Sequence, residues 1–204
     1  MQYLWKLHPL FTWVNDKAGL LYGRGEAPIV GLPDVLKPSE TIFIVTGSIP
    51  NMKSTPLVDE WFGLLYENGK YSATLSMSEV LKKTNFRSVS IPNTNALTEA
   101  DIQAAAALRP DVVKNARSYL HEHYLRYQAQ MNPLLDEEID KLAELETRHK
   151  DYQISLFESE RKRSEQERMV DELFNKFINW VTDTLSIQNN PYIRIVTVLK
   201  GVSR

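Results

Sequence analysis

Eighty consecutive residues, 111–190, contain no glycine and a single proline, Pro133. Those two residue types are the strongest local breakers of regular structure, so their absence over such a length leaves helix or disorder. Disorder is excluded by apolar side chains at helical intervals. Leu135, Ile139, Leu142, Leu145, His149, Tyr152 and Leu156 are separated by 4, 3, 3, 4, 3 and 4 residues, a coiled-coil-like seam. Glu137 with Lys141, Glu144 with Arg148 and Glu146 with Lys150 place acid before base at i,i+4, each pair adding about 0.2–0.5 kcal/mol. A second stripe, Val170, Leu173, Phe177, Trp180 and Thr184, follows the charged stretch 158–165. Two stripes predict two arms packed antiparallel, a helical hairpin over 98–190 entered through a capping box at Thr98-Glu99-Ala100-Asp101. Asn132-Pro133 fits either an N-cap with the first residue of a new helix or a kink within one long helix, because proline removes a single backbone donor.

Residues 1–97 are punctuated instead, with seven of the ten prolines and seven of the eight glycines. Leu10, Trp13, Val14, Ala18 and Leu21 recur at helical spacing until Gly23 and Gly25. Ile42-Phe43-Ile44-Val45, closed by Gly47 and Pro50, has the pattern of a buried strand. Segments 61–66 and 71–75 flank Asn68-Gly69, whose tolerance of positive φ suits a two-residue hairpin turn. Residues 84–98 form an exposed connector. Beyond the helices, Tyr192–Leu199 is a strand with a buried face, and since an isolated strand is unstable it is expected to return to the sheet of 42–75. The expectation is therefore an α+β chain forming one structural unit: a small antiparallel sheet with a β-hairpin in the mixed subregion 1–97, a long antiparallel helical hairpin in 98–190, and a returning strand in 191–204.

Composition narrows the function. With 204 residues, 43% hydrophobic and 25% charged, the chain has material for a real core. Its net charge of -2 gives no overall cationic field for nucleic acid or acidic membrane, so DNA binding is expected to be weak at most. Charge is uneven: residues 111–185 hold 11 Lys+Arg against 16 Asp+Glu, the rest 13 against 10. The absence of cysteine rules out disulfides, thiolate metal sites and a cysteine nucleophile, and fits a reducing, cytoplasmic setting. No cleavable leader and no run of eighteen apolar residues is visible, so neither secretion nor membrane association is expected.

Catalytic patterns are missing. There is no G-x-x-x-x-G-K-[ST] cradle and no G-x-S-x-G elbow. Of His8, His121, His123 and His149, the middle two differ by two positions, which on a helix points them apart; no metal site is expected. Pro110-Asp111-Val112-Val113-Lys114 imitates part of a nuclease signature, but it opens a helix, where Pro110 suits the first turn and Asp111 the dipole. Arg161, Lys162, Arg163 and Arg168 are the basic cluster of note, candidates for a phosphate or acidic-partner contact, with Glu158, Glu160, Glu165 and Glu167 interleaved. Trp13, Trp61, Phe62 and Trp180 are expected in the core. Neither catalytic residues nor a cofactor site is assigned.

Several motifs nevertheless occur in a familiar order: Leu7-His8-Pro9-Leu10, Trp13-Val14-Asn15-Asp16, Gly47-Ser48-Ile49-Pro50-Asn51, Pro56–Gly63, Trp180–Leu185 and Pro191–Leu199. Together they resemble the carboxy-terminal region of large bacterial SWI/SNF-type helicase-like ATPases, the group that includes the RNA-polymerase-associated recycling ATPase and phage-defence translocases. That resemblance implies a non-catalytic accessory domain following two motor lobes. It would position the motor, guide duplex DNA, or dock a partner such as RNA polymerase or a defence-system subunit. The motor lobes and their ATP chemistry are missing from this chain, which is then expected to be a fragment starting at an introduced Met1. A stand-alone coiled-coil adaptor is the alternative, and an enzyme with scattered carboxylates a third reading.

Overall fold

The computed structural model describes residues 10, 13, 17, 27–86, 97–155 and 159–203. The elements run β1 (Ile29–Pro33), β2 (Glu40–Pro50), β3 (Pro56–Glu67), β4 (Lys70–Ser76), α1 (Met77–Thr84), α2 (Glu99–Ala107), α3 (Arg109–Ser155), α4 (Glu160–Leu185) and β5 (Tyr192–Val202). The fold is α+β, and the terminal strand does return to the sheet, whose order is β1-β5-β2-β3-β4. One expectation needs correcting: the sheet is mixed. β1, a five-residue strand, pairs parallel with β5, from Ile29 opposite Val198 to Pro33 opposite Val202. Leu10, Trp13 and Lys17 are helical; Val14, Ala18 and Leu21 of the expected first helix lie outside the described residues, as does most of the 84–98 connector.

Two compact units emerge. The first comprises the described parts of 1–46, 60–117 and 193–204. The hairpin of β3 and β4 turns at Asn68 and Gly69, with φ of 51° and 74°, the left-handed values that this residue pair adopts at little cost. Ser76 and Glu79 close a reciprocal capping box that starts α1 immediately after β4. One core cluster, Leu32, Leu36, Ile42, Ile44, Leu65, Val80 and Leu199, unites β1, β2, β3, α1 and β5. Deep against it, Glu40 is buried yet ionised, receiving Lys83 Nζ at 2.8 Å and the Lys37 amide at 3.0 Å. Burial alone would raise its pKa, but these donors hold it below the ordinary carboxylate value. Gly201 is obligatory for space: a Cβ there would lie 1.9 Å from the Lys37 carbonyl oxygen.

Fully buried Tyr66 links β3 to the start of α3. Its hydroxyl donates to Asp111 Oδ2 at 2.9 Å and accepts from Asn115 Nδ2 at 3.0 Å, while Asn115 also donates to Asp111 Oδ2 at 2.9 Å. Asp111, the first-turn acid that superficially imitates nuclease chemistry, is thus a structural acceptor. Phe43 meets the Tyr66 ring edge-on at 5.4 Å.

The second unit comprises Gly47–Asp59 and Ser118–Tyr192. Pro133 lies inside α3, whose 47 residues run through it unbroken, so the alternative of one long helix and not a second N-cap describes the backbone there. The arms are antiparallel: Tyr127 donates to the Leu185 carbonyl at 3.2 Å, His149 and Phe174 rings lie 6.3 Å apart, and Lys150 bridges to Asp171. All three expected acid-base pairs form, Glu137–Lys141 at 2.9 Å, Glu146–Lys150 at 2.8 Å, and Glu144–Arg148.

The expected seam is correct only at its beginning. Leu135, Ile139 and Leu142 are half-buried, but Leu145 and Tyr152 are exposed, as is His149 although its ring edges onto Phe174, and Leu156 lies outside the described residues. The sheltered row is instead Gln128, Met131, Leu135, Ile139, Leu142, Glu146 and Lys150. A helix of 3.6 residues per turn drifts by about 20° per heptad from a strict 3.5-residue repeat, so the inward face leaves the heptad after two turns and recruits a charged pair.

Candidate functional site

The four basic candidates all lie in the first three turns of α4. Arg161, Lys162, Arg163 and Arg168 are exposed. Arg161 and Arg168 share a helix face, being seven residues apart, but Glu165 and Glu172 occupy the same face, and Arg168 Nε approaches Glu172 Oε1 at 3.8 Å. The face alternates in sign along its length. Ser159 occupies the N-cap without a side-chain cap bond.

Further along α4 the side chains contradict the stripe expected from sequence. Val170 is buried, but Leu173, Phe177 and Trp180 are 50%, 53% and 57% exposed, and Met169 joins them at 57%. The sheltered row is Val170, Phe174, Ile178, Val181 and Leu185, at spacings of 4, 4, 3 and 4, and it is Phe174 and Leu185 that meet α3. Met169, Leu173, Phe177 and Trp180, at spacings of 4, 4 and 3, form a parallel row turned outward. The cause is geometric: α4 carries an apolar arc wider than one neighbouring helix can cover, and α3 takes one half of it. Full burial of a side chain of this size is worth about 1.5–3 kcal/mol, so covering four that are already half-sheltered would recover roughly 3–6 kcal/mol. Two further aromatic expectations fail in the same way. Trp13 and Trp61 are exposed and only Phe62 belongs to the core; Trp61 falls one residue before the β3–β4 register begins at Phe62 and Ser76, so no β4 neighbour covers it.

The C-terminal end of this row is held by the turn between β2 and β3. Asn51 is buried; its Nδ2 donates to the Thr184 carbonyl at 2.9 Å, and its Oδ1 accepts the Lys53 and Thr55 amides, each at 2.9 Å. That side chain supplies partners the tight turn otherwise lacks. Backbone bonds add to it, from Gln188 N to the Pro50 carbonyl at 2.9 Å and through a bridge between Asn51 and Ile187. Lys53 is thereby placed with Nζ 4.8 Å from the Trp180 ring centroid and 3.0 Å from Thr184 Oγ1. A cation over an indole face fixes the ring without covering it. Met52, in the same turn, is also exposed. The tryptophan is therefore presented on a built support and not left as a free side chain. Sequence reasoning passed over Met169, Met52 and Lys53, and gave Asn51 no structural role. Met169 was detectable as the residue that extends 173-177-180 backwards at helical spacing; the role of Asn51 depends on a contact 133 residues distant.

The histidines do not assemble. His121 stacks on Tyr124 at 5.8 Å, His123 meets Tyr119 at 4.6 Å, and His8 lies outside the described residues. Among the described residues no group of three or more His, Asp or Glu side chains could hold a metal ion, and no helix is long and apolar enough to cross a membrane. No known family model matches the chain, and no curated protein matches it either.

Proposed function

We propose that this chain is a non-catalytic accessory domain of a SWI/SNF-type helicase-like ATPase, and that its outward α4 row docks the motor lobes of that ATPase. The observation that carries the reading is the row Met169, Leu173, Phe177 and Trp180, four large apolar side chains half or more exposed at helical spacing, with Trp180 braced by Lys53. Contiguous exposed apolar surface of this kind marks interaction sites on folded proteins. The motif resemblance supplies the identity of the partner, and the absence of cysteine suits a cytoplasmic location. RNA polymerase or a defence-system subunit would then be contacted through the assembled ATPase.

The test starts from the gene. The two-lobe ATPase encoded in the same frame or by its neighbour is purified and titrated with this chain and with Phe177→Asp and Trp180→Asp variants. Saturable binding by the parent chain, weakened at least tenfold in both variants, is the expected result. Absence of any encoded motor, or binding unchanged in the variants, overturns the reading. Tight binding to a foreign coiled-coil protein but not to the motor would establish the stand-alone adaptor instead.

A further inference from the structure

The first unit contains a cavity of about 490 Å³ beside the sheet. It falls within the range of roughly 300–1,000 Å³ that holds small organic ligands. The space exists because Ala27, Ala105 and Ala106 line it where larger apolar residues would fill it. Ala105 and Ala106 belong to the run of four alanines that makes up the second half of α2.

The lining is chemically asymmetric. Phe43 from β2, Ile102 from α2 and Ile193 and Ile195 from β5 give apolar walls, and such walls hold ordered water poorly. The only ionisable residues among the described lining are arginines, Arg109 and Arg194. Arg109 is fixed in place: its Nε donates to the Ala106 carbonyl at 3.1 Å, using one of five N–H donors and holding the guanidinium against the alanine that itself lines the space. Arg109 and Ile102 are exposed while Phe43, Ala105 and Val198 are buried, so the cationic side is the mouth and the apolar side the floor.

We propose that this cavity binds a small amphipathic carboxylate, an acyl or aryl acid whose carboxylate meets Arg109 at the mouth and whose apolar body lies against Ile102, Ile193 and Ile195. A planar guanidinium matches a carboxylate fork and forms its strongest hydrogen bonds with ionised acceptors. A neutral amphiphile would gain the apolar contact alone, and a cationic one would meet the like charge of Arg109. The proposal is independent of the docking role of α4.

The experiment titrates the chain with decanoate, decanol and decyltrimethylammonium below their aggregation thresholds, by calorimetry, and maps amide exchange in the decanoate complex. The expected outcome is saturable decanoate binding at least tenfold tighter than decanol, with protection at residues 102–113 and 193–198. Arg109→Met should bring decanoate down to the affinity of decanol while leaving decanol unchanged. Ala106→Phe should weaken both at least tenfold; if that variant does not fold, Ile102→Trp fills the mouth from an exposed position. Equal affinity for decanoate and decanol, protection confined to 160–185, or no saturable binding would each overturn the assignment.

Discussion

Replacing Tyr66 by phenylalanine removes one oxygen from the junction between β3 and α3, and the structure specifies what that does at two pH values. Near neutrality the hydroxyl donates to Asp111 and accepts from Asn115. Its loss leaves Asp111 exposed to water and still bonded to Asn115, so the cost belongs at the lower end for a bond to a charged group, about 1–2 kcal/mol. In alkali the sign reverses. Burial, with the Asp111 carboxylate alongside, pushes the Tyr66 hydroxyl up to about 12. In the unfolded chain it ionises near pH 10. Between those values the unfolded state releases a proton that the folded state retains, so the native protein is progressively disfavoured as pH rises. A two-unit gap corresponds to about 3 kcal/mol in all, about half of it lost by pH 11 and the whole only above pH 12. The phenylalanine variant has nothing to titrate at this position. Urea denaturation at fixed pH from about 7 to 11.5 should show the variant less stable below about pH 9, equal to the parent near pH 11, and more stable above it. Tyr192→Phe, at an exposed tyrosine, should follow the parent throughout. Parallel curves for Tyr66→Phe and parent would refute both the hydrogen-bond assignment and the burial argument.

Other positions give sharper or simpler outcomes. Gly201→Ala drives a Cβ into the Lys37 carbonyl, and should cost about 3 kcal/mol, seen as a melting temperature lowered by about 6–12 °C; an unchanged melting point would mean the loop yields freely. Asn51→Ala removes three hydrogen bonds at a buried turn and should destabilise by about 2–3 kcal/mol in urea, whereas a loss under about 0.5 kcal/mol would show the turn held by its backbone bonds alone. Glu40 has a lowered folded pKa, so its contribution is present above its unfolded value near 4.5 and fades as pH falls through the folded one; Glu40→Gln should flatten the acid limb of stability against pH, and an identical limb would remove Glu40 from the account. Replacing Arg161, Lys162 and Arg163 together by Ala should abolish most of a weak, salt-sensitive DNA affinity measured by anisotropy, while tight binding that survives the change would place the contact elsewhere.

What was legible in the sequence was local or unambiguous in period. Asn68-Gly69 announces its hairpin because few residue pairs tolerate two positive φ values. Thr98 and Asp101 announce a helix start because the reciprocal bonds need only four residues. β5 is apolar over too long a run to be a tail, and its return to the sheet follows. β1 is different: five residues with Gly31 inside and Pro33 at the end have little intrinsic strand preference, and only pairing with β5 makes them a strand. α1 has a sequence signal that is easily passed over, Ser76-Met77-Ser78-Glu79, because it begins on the last residue of a strand.

The candidate docking row was legible as apolar but not as exposed, and the reason is general to helical hairpins. A sequence gives the angular spread of apolar residues around a helix; it does not say which part of that spread the neighbour occupies. On α4 the spread includes both 170-174-178-181-185 and 169-173-177-180, and each row has acceptable helical spacing. The selection is made by α3, whose inward face shifts from heptad spacing to the row ending at Glu146 and Lys150. Lys150 then reaches Asp171, one residue after Val170 and beside the first row. An exposed apolar row is thus a consequence of how the two arms are rotated about their axes. Lys150→Met therefore separates rotation from simple burial: it keeps an apolar stem inward but removes the bridge to Asp171. If the bridge sets the rotation, the variant should lose binding through Phe177 and Trp180 while remaining helical by circular dichroism. Retained binding would assign the rotation to the packing of Val170, Phe174 and Ile178 alone.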